Sequence, residues 1–267
     1  MFPRHIGWMI RAEIRAVFGR ISAKVAIGFG IMIPVVAALA LAWFEQKTVD
    51  SRFNGVPISD LADLSVRGLL GYGLMVRNMV VLPLLLVLAT AASVAGERRD
   101  NTLREVVVRP VPRWSIVFAK AVALLCLSGC TLLLTMGLSL GLGWALFDTT
   151  EAIDRVLLGY LVCLGTDLGL ICLSMLASSF VRSVGGVVVL IVLLMLGDLA
   201  ARGVLTLAGN LGAEGMLSLI PYFPGSALDA WEGWKDGFSM EQMVGLACLV
   251  LAGFGLTSLR FTRMDVP

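Results

Sequence analysis

The chain has 267 residues, of which 58% are hydrophobic and only 15% charged, with a formal net charge of +2. Soluble domains carry about 25% charged residues, so this deficit, with a mean hydropathy of +0.91, excludes a water-soluble globular fold and points to a polytopic membrane protein. A single histidine, His5, excludes a multi-histidine metal site. The cysteines Cys126, Cys130, Cys163, Cys172 and Cys248 all lie in apolar runs, with neither a disulfide framework nor zinc-site spacing.

In chain order, the first element predicted is an amphipathic helix over residues 3–22. Ile6, Met9, Ile10, Ile14, Val17, Phe18 and Ile21 recur at helical spacing, and Arg4, Arg11 and Arg15 lie mainly on the other side. Such a helix lies along a membrane surface; a basic topology signal is the plainer account of the same residues. The basic run, and an apolar stretch too long for a signal-peptide core, make the first span an uncleaved one.

A crossing helix needs about 20 apolar residues. Six segments qualify: about 25–44, 73–96, 114–147, 153–180, 184–205 and 243–260. Between the fifth and sixth lies a long segment, 203–242. There "SLIPYFPGSALDAW" (Ser218–Trp231) carries Pro221, Pro224 and Gly225, which break any long helix. Short interfacial or re-entrant helices anchored by Tyr222, Trp231 and Trp234 are expected on the outer side; an ordinary loop with interfacial aromatics is the plainer reading. Basic residues concentrate before the first span, in the second loop (Arg98, Arg99, Arg104, Arg109, Arg113), at Arg182 and at the C-terminus (Arg260, Arg263). Both termini and residues 97–113 are therefore expected on the cytoplasmic side.

The second loop, "GERRDNTLREVVVRPVPRWSIVFAK" (Gly96–Lys120), holds more than charge. Thr102 and Glu105 form a capping box. Leu103, Val106 and Val107 then give a short apolar face, and Pro110 stops the helix after about two turns. Lys120, about one turn into the next span, is expected to snorkel to the surface. A passive topology loop needs neither cap nor proline stop, though a basic loop setting topology is the alternative.

Charges inside spans are candidates for function. Asp167 lies near the middle of the fourth span, and a lone carboxylate there must be neutral or paired. Asp198 and Arg202 are four apart and share a helix face. Arg77 is placed near the outer end of the second span. Pairing between or within helices, with Arg77 and Arg202 snorkelling outward, is the structural account of the last three. For Asp167, structural and functional roles weigh equally.

The loop resembles the signature of ABC-2 type transporter permeases. Glu97 matches the family's acid, Asn101-Thr102-Leu103 its Gly-Thr-Leu, Pro110-Val111-Pro112-Arg113 its Pro-Val-Ser-Arg, and Ala119-Lys120 its Gly-Lys. The departures are Asn101, Pro112 and Ala119; Asn tolerates the left-handed backbone next best to Gly. The resemblance implies an all-α fold over residues 1–267: six transmembrane helices, an N-terminal interface helix and the architecture of type V exporters.

It also implies that residues 97–113 couple to a separate ABC ATPase through Glu97, Asn101, Thr102, Leu103, Glu105, Val106, Val107, Pro110, Arg113 and Lys120. The partners implied are that ATPase, a second permease (a copy or a paralogue) and the lipid bilayer of a bacterial inner membrane; nucleic acid is not among them. No G-x-x-x-x-G-K-[ST] loop occurs, so ATP and magnesium belong to the partner, and this chain carries no cofactor, no metal and no catalytic set of its own. The rival readings are an energy-transducing permease serving an outer-face protein or cofactor, and a polytopic membrane enzyme using Asp167 or Asp198. A secondary transporter lacks the expected repeat between halves.

Overall fold

A computed structural model describes residues 2–48, 52–53, 56–57, 65–79, 81–100, 112–147 and 153–263. Among them the chain is helical apart from a minimal hairpin pairing β1 (Arg52–Phe53) with β2 (Val56–Pro57). The long helices are α1 (Phe2–Gly19), α2 (Ile21–Thr48), α3 (Val66–Met79), α4 (Val81–Ala91), α5 (Arg113–Leu146), α6 (Ile153–Phe180), α7 (Val184–Asn210) and α10 (Met240–Arg263). Five of these are long and apolar enough to cross a membrane, and six crossings result if the bent pair α3 and α4 is one span.

That pair corrects the span expected at 73–96. Helix begins at Val66, and α3 meets the following helix at 43°. Pro83 gives a physical reason for the break: it has no N–H to offer the carbonyl of Met79, four residues back. After α4 the chain runs through a π turn, Ala92–Gly96, into Glu97–Arg99. The extra residue of a π turn resets which side chains face inward, and Ser93 through Gly96 are all buried.

α5 and α6 form the centre, more than half buried over their apolar stretches, whereas α7 and α10 are mostly exposed. On α7 only Val187, Ile191 and Gly209 are buried, while Val189, Leu193, Val204 and Leu207 face outward. Apolar residues can cover the outside because the bilayer is the solvent there and every backbone polar group is satisfied within its helix. Ser183 starts α7 as an N-cap, its Oγ accepting from the Gly186 N–H at 3.1 Å.

Two apolar clusters divide the interior. One lies at the α1 end, around Val17, Val94, Val117, Leu124, Ile171 and Phe261. The other lies at the far end, around Leu69, Leu70, Leu74, Phe147, Val156 and Trp231. The stretch between α7 and α10 is a chain of short pieces: a 3-10 turn at Glu214–Tyr222, α8 (Pro224–Leu228), another 3-10 turn at Ala230–Glu232, and α9 (Gly233–Asp236). This segment is wedged into the far end by Trp234. A Cβ added to Gly71 would sit 2.4 Å from the indole, and one added to Gly159 would sit 3.1 Å from its Cβ. Only glycines admit the ring there.

Candidate functional site

Charged side chains gather in three places, one at each end and one at mid-depth. At the α1 end, Lys120 is 1% exposed rather than reaching the surface. Its Nζ lies 2.9 Å from Glu13 Oε1 and 2.7 Å from Glu97 Oε2. The expectation that it snorkels is therefore corrected: α1 packs across the start of α5 and the π turn precedes Glu97, so the carboxylates come to the ammonium. Arg20 Nη2 lies 3.2 Å from Glu97 Oε1, which balances two cations against two anions.

Glu13 carries a quieter signal in the sequence: it is the only acid in α1 and sits one turn before the buried Val17. Of the expected coupling residues, Glu97, Arg113 and Lys120 are placed. Asn101, Thr102, Leu103, Glu105, Val106, Val107 and Pro110 lie outside the described residues.

The loop's flanking arginines grip helix ends. Arg98 Nη1 donates to the carbonyls of Ser178 and Ser179 at 3.0 and 2.8 Å, at the C-terminus of α6. Arg113 Nη1 donates to those of Phe261 and Thr262 at 2.9 and 3.1 Å, near the C-terminus of α10. Both satisfy carbonyls that have no partner within their own helix, where the helix dipole also favours a cation.

At mid-depth, Arg77 is fully buried. It does not snorkel outward, correcting that expectation. Its Nη2 lies 2.7 Å from Asp167 Oδ2, and its guanidinium also donates to Asn78 Oδ1 at 2.6 Å and Ser128 Oγ at 3.3 Å. Cys163 Sγ lies 3.0 Å from Nη1, and Ser128 Oγ donates to Asp167 Oδ2. The pair fills the layer between the two apolar clusters, where a single charge could not be left alone. Ser128, Thr131, Thr135 and Ser139, all buried, fall at helical spacing on α5. That hydroxyl stripe is the sequence signal of a polar face inside the bundle.

At the far end, Arg202 Nε lies 2.8 Å from Asp198 Oδ2, the pairing that the four-residue spacing indicates. Arg202 Nη1 reaches Asp229 Oδ2 at 2.7 Å, and Asp198 Oδ1 accepts from the Gly225 N–H at 2.9 Å. α7 thus holds the segment of short helices through two carboxylates and one guanidinium. Between this fastening and the Arg77–Asp167 pair lies a pocket of about 460 Å³. Pro83 and Leu84 of α4, Asp167 and Leu170 of α6 and Leu196 of α7 contribute to its walls, and Asp229 stands at its far end.

Among the described residues no group of three or more His, Cys, Asp or Glu side chains is placed to hold a metal ion. What the arrangement offers is a set of ionic fastenings between helices, and a mostly apolar pocket with charge at its edges. A family model described as "ABC-2 family transporter protein" matches residues 23–197. No curated protein matches the chain.

Proposed function

Because the chain belongs to the ABC-2 family of transporter membrane proteins, we propose that it is the permease subunit of an exporter driven by a separate ABC ATPase. A multi-pass membrane protein that is not itself catalytic follows from the family; the coupling route, the direction and the orientation are our reading. The observation that carries the coupling route is the Glu97–Lys120–Glu13 cluster. Glu97 and Lys120 mark the two ends of the ABC-2-like loop motif, and both are tied to one ammonium–carboxylate knot with α1. A push on residues 101–111 then meets a braced frame rather than slack chain.

The orientation is supported by where the basic residues meet. Arg20, Arg98, Arg113 and Arg260 are brought to one end by their contacts with Glu97, the end of α6, the end of α10 and the ring of Phe180. By the excess of basic residues, that end faces the cytoplasm of a bacterial inner membrane. ATP and magnesium would be held by the partner ATPase, and a second permease subunit, a copy or a paralogue, would complete the path.

The test is Leu103→Asp. A charge on the apolar face expected of Leu103, Val106 and Val107 would have to enter the ATPase groove unpaired, at a cost of several kcal/mol. Thr102→Ala removes only a cap, about 1 kcal/mol. The expected result is normal membrane level for both, loss of the co-purifying ATPase for Leu103→Asp, and a milder loss for Thr102→Ala. Unchanged co-purification and coupled activity in Leu103→Asp would leave the loop as a topology signal only.

A further inference from the structure

The pocket between α4, α6, α7 and the short-helix segment is mostly apolar, with Asn78 and Thr166 among its polar lining, yet it carries charge at Asp167, Arg202 and Asp229. Its volume of about 460 Å³ falls within the roughly 300–1,000 Å³ typical of small-molecule sites. The ionic groups around it do not cancel. Asp167, Asp198 and Asp229 are three carboxylates, Arg77 and Arg202 two guanidiniums, and Glu232 nearby is matched by Lys235.

On that count the carboxylates exceed the guanidiniums by one around the pocket. Two of the carboxylates line the pocket and have capacity to spare. Asp167 is 5% exposed, and both its partners, Arg77 and Ser128, hold Oδ2; among the described residues Oδ1 accepts no hydrogen bond. Asp229 engages Arg202 through Oδ2, and its side chain is 46% exposed.

We propose that this pocket binds an amphipathic monocation, its apolar body between α4, α6 and α7 and its charged centre between Asp167 and Asp229. Low dielectric makes the uncompensated charge count for more here than in water. The same low dielectric penalises an anion of equal size and shape, so selectivity by sign is part of the proposal. Calling the ligand a cargo rests on the export reading above, but binding itself needs no ATPase.

The test uses the full-length protein in detergent–lipid micelles with radiolabelled tetraphenylphosphonium, measured by equilibrium dialysis. Radiolabelled tetraphenylborate, of like shape and opposite charge, is dialysed in separate cells, since the two ions pair as a sparingly soluble salt. The expected result is saturable binding of tetraphenylphosphonium near one site per chain, and none of tetraphenylborate. Asp229→Asn should weaken it by about tenfold, the scale of one charge-assisted contact. Leu196→Trp, which fills the pocket from an outward-facing helix, should abolish it.

Asp167 is left intact because its loss would strand Arg77, and both variants are checked for an unchanged gel-filtration profile. Non-saturable uptake overturns the proposal, as does equal binding of both ions or wild-type binding in both variants. Loss in Leu196→Trp with no change in Asp229→Asn overturns the cationic assignment. Because Leu103→Asp reads ATPase docking and these variants read ligand binding, failure of one is distinct from failure of the other.

Discussion

Arg77 and Asp167 show what a single pair decides. Each is buried, and each is tolerable only because the other is there. Asp167→Ala leaves a guanidinium stranded, a loss of about 3–5 kcal/mol. The expected outcome is a sharp fall in the thermal midpoint of the purified protein and in its membrane level. Replacing both, Arg77→Met with Asp167→Leu, should recover most of that loss, since no charge is then left unpaired. A double variant as unstable as the single would mean that the surrounding hydroxyls, rather than the ion pair, hold the layer.

By contrast Asp229→Asn, at a half-exposed pair, should shift the midpoint by no more than about 1 kcal/mol's worth. The sequence shows one of these pairings and hides the other. Asp198 and Arg202 share a helix, so four-residue spacing is enough to join them. Arg77 and Asp167 stand 90 positions apart on different helices, and no local pattern can join residues that distant.

At the scale of elements, the wedge of Trp234 fixes where the short-helix segment sits. A methyl on Gly71 would overlap the indole, its Cβ 2.4 Å from the ring. Gly71→Ala should therefore destabilise the protein although Ala is the better helix former. Trp234→Ala alone should also cost stability, through the lost packing. Combined, the two should cost less than their sum, because the methyl no longer meets a ring. Thermal scans of the four proteins give the coupling directly; strict additivity would place the segment elsewhere.

Helix type and approximate extent along α2, α5, α6, α7 and α10 are legible in apolar run length alone. The break before α4 is not, because averaging over an apolar window conceals one missing hydrogen bond. The true start at Val66 is hidden too, since Arg67, Gly68, Gly71 and Gly73 hold down the hydropathy of that stretch. The short helices after α7 are legible as pieces from Pro221, Pro224 and Gly225, but their seat against Gly71 and Gly159 is a property of the packed bundle.

For the whole molecule, the residues that mark one end come from every part of the chain: Arg20, Glu97, Arg113, Phe180 and Phe261. The proposed orientation predicts that a cysteine at position 104, in an otherwise cysteine-free protein, reacts with an impermeant reagent only after the cells are opened. One at the exposed Ser218 should react in intact cells. The reverse pattern would invert the molecule in the membrane. Charge distribution makes this face legible from sequence, whereas the knot at Lys120 is not, because it depends on α1 folding back across α5.

The two arginines that grip helix ends also have a mechanical meaning. Arg98 is hitched to the end of α6, and Arg113 to the chain near the end of α10. If an ATPase engages the residues between these two arginines, as proposed above, its pull is shared between two helices, and one of them carries Asp167 at its middle. α6 itself is then a stiff line from that end of the bundle to the wall of the pocket.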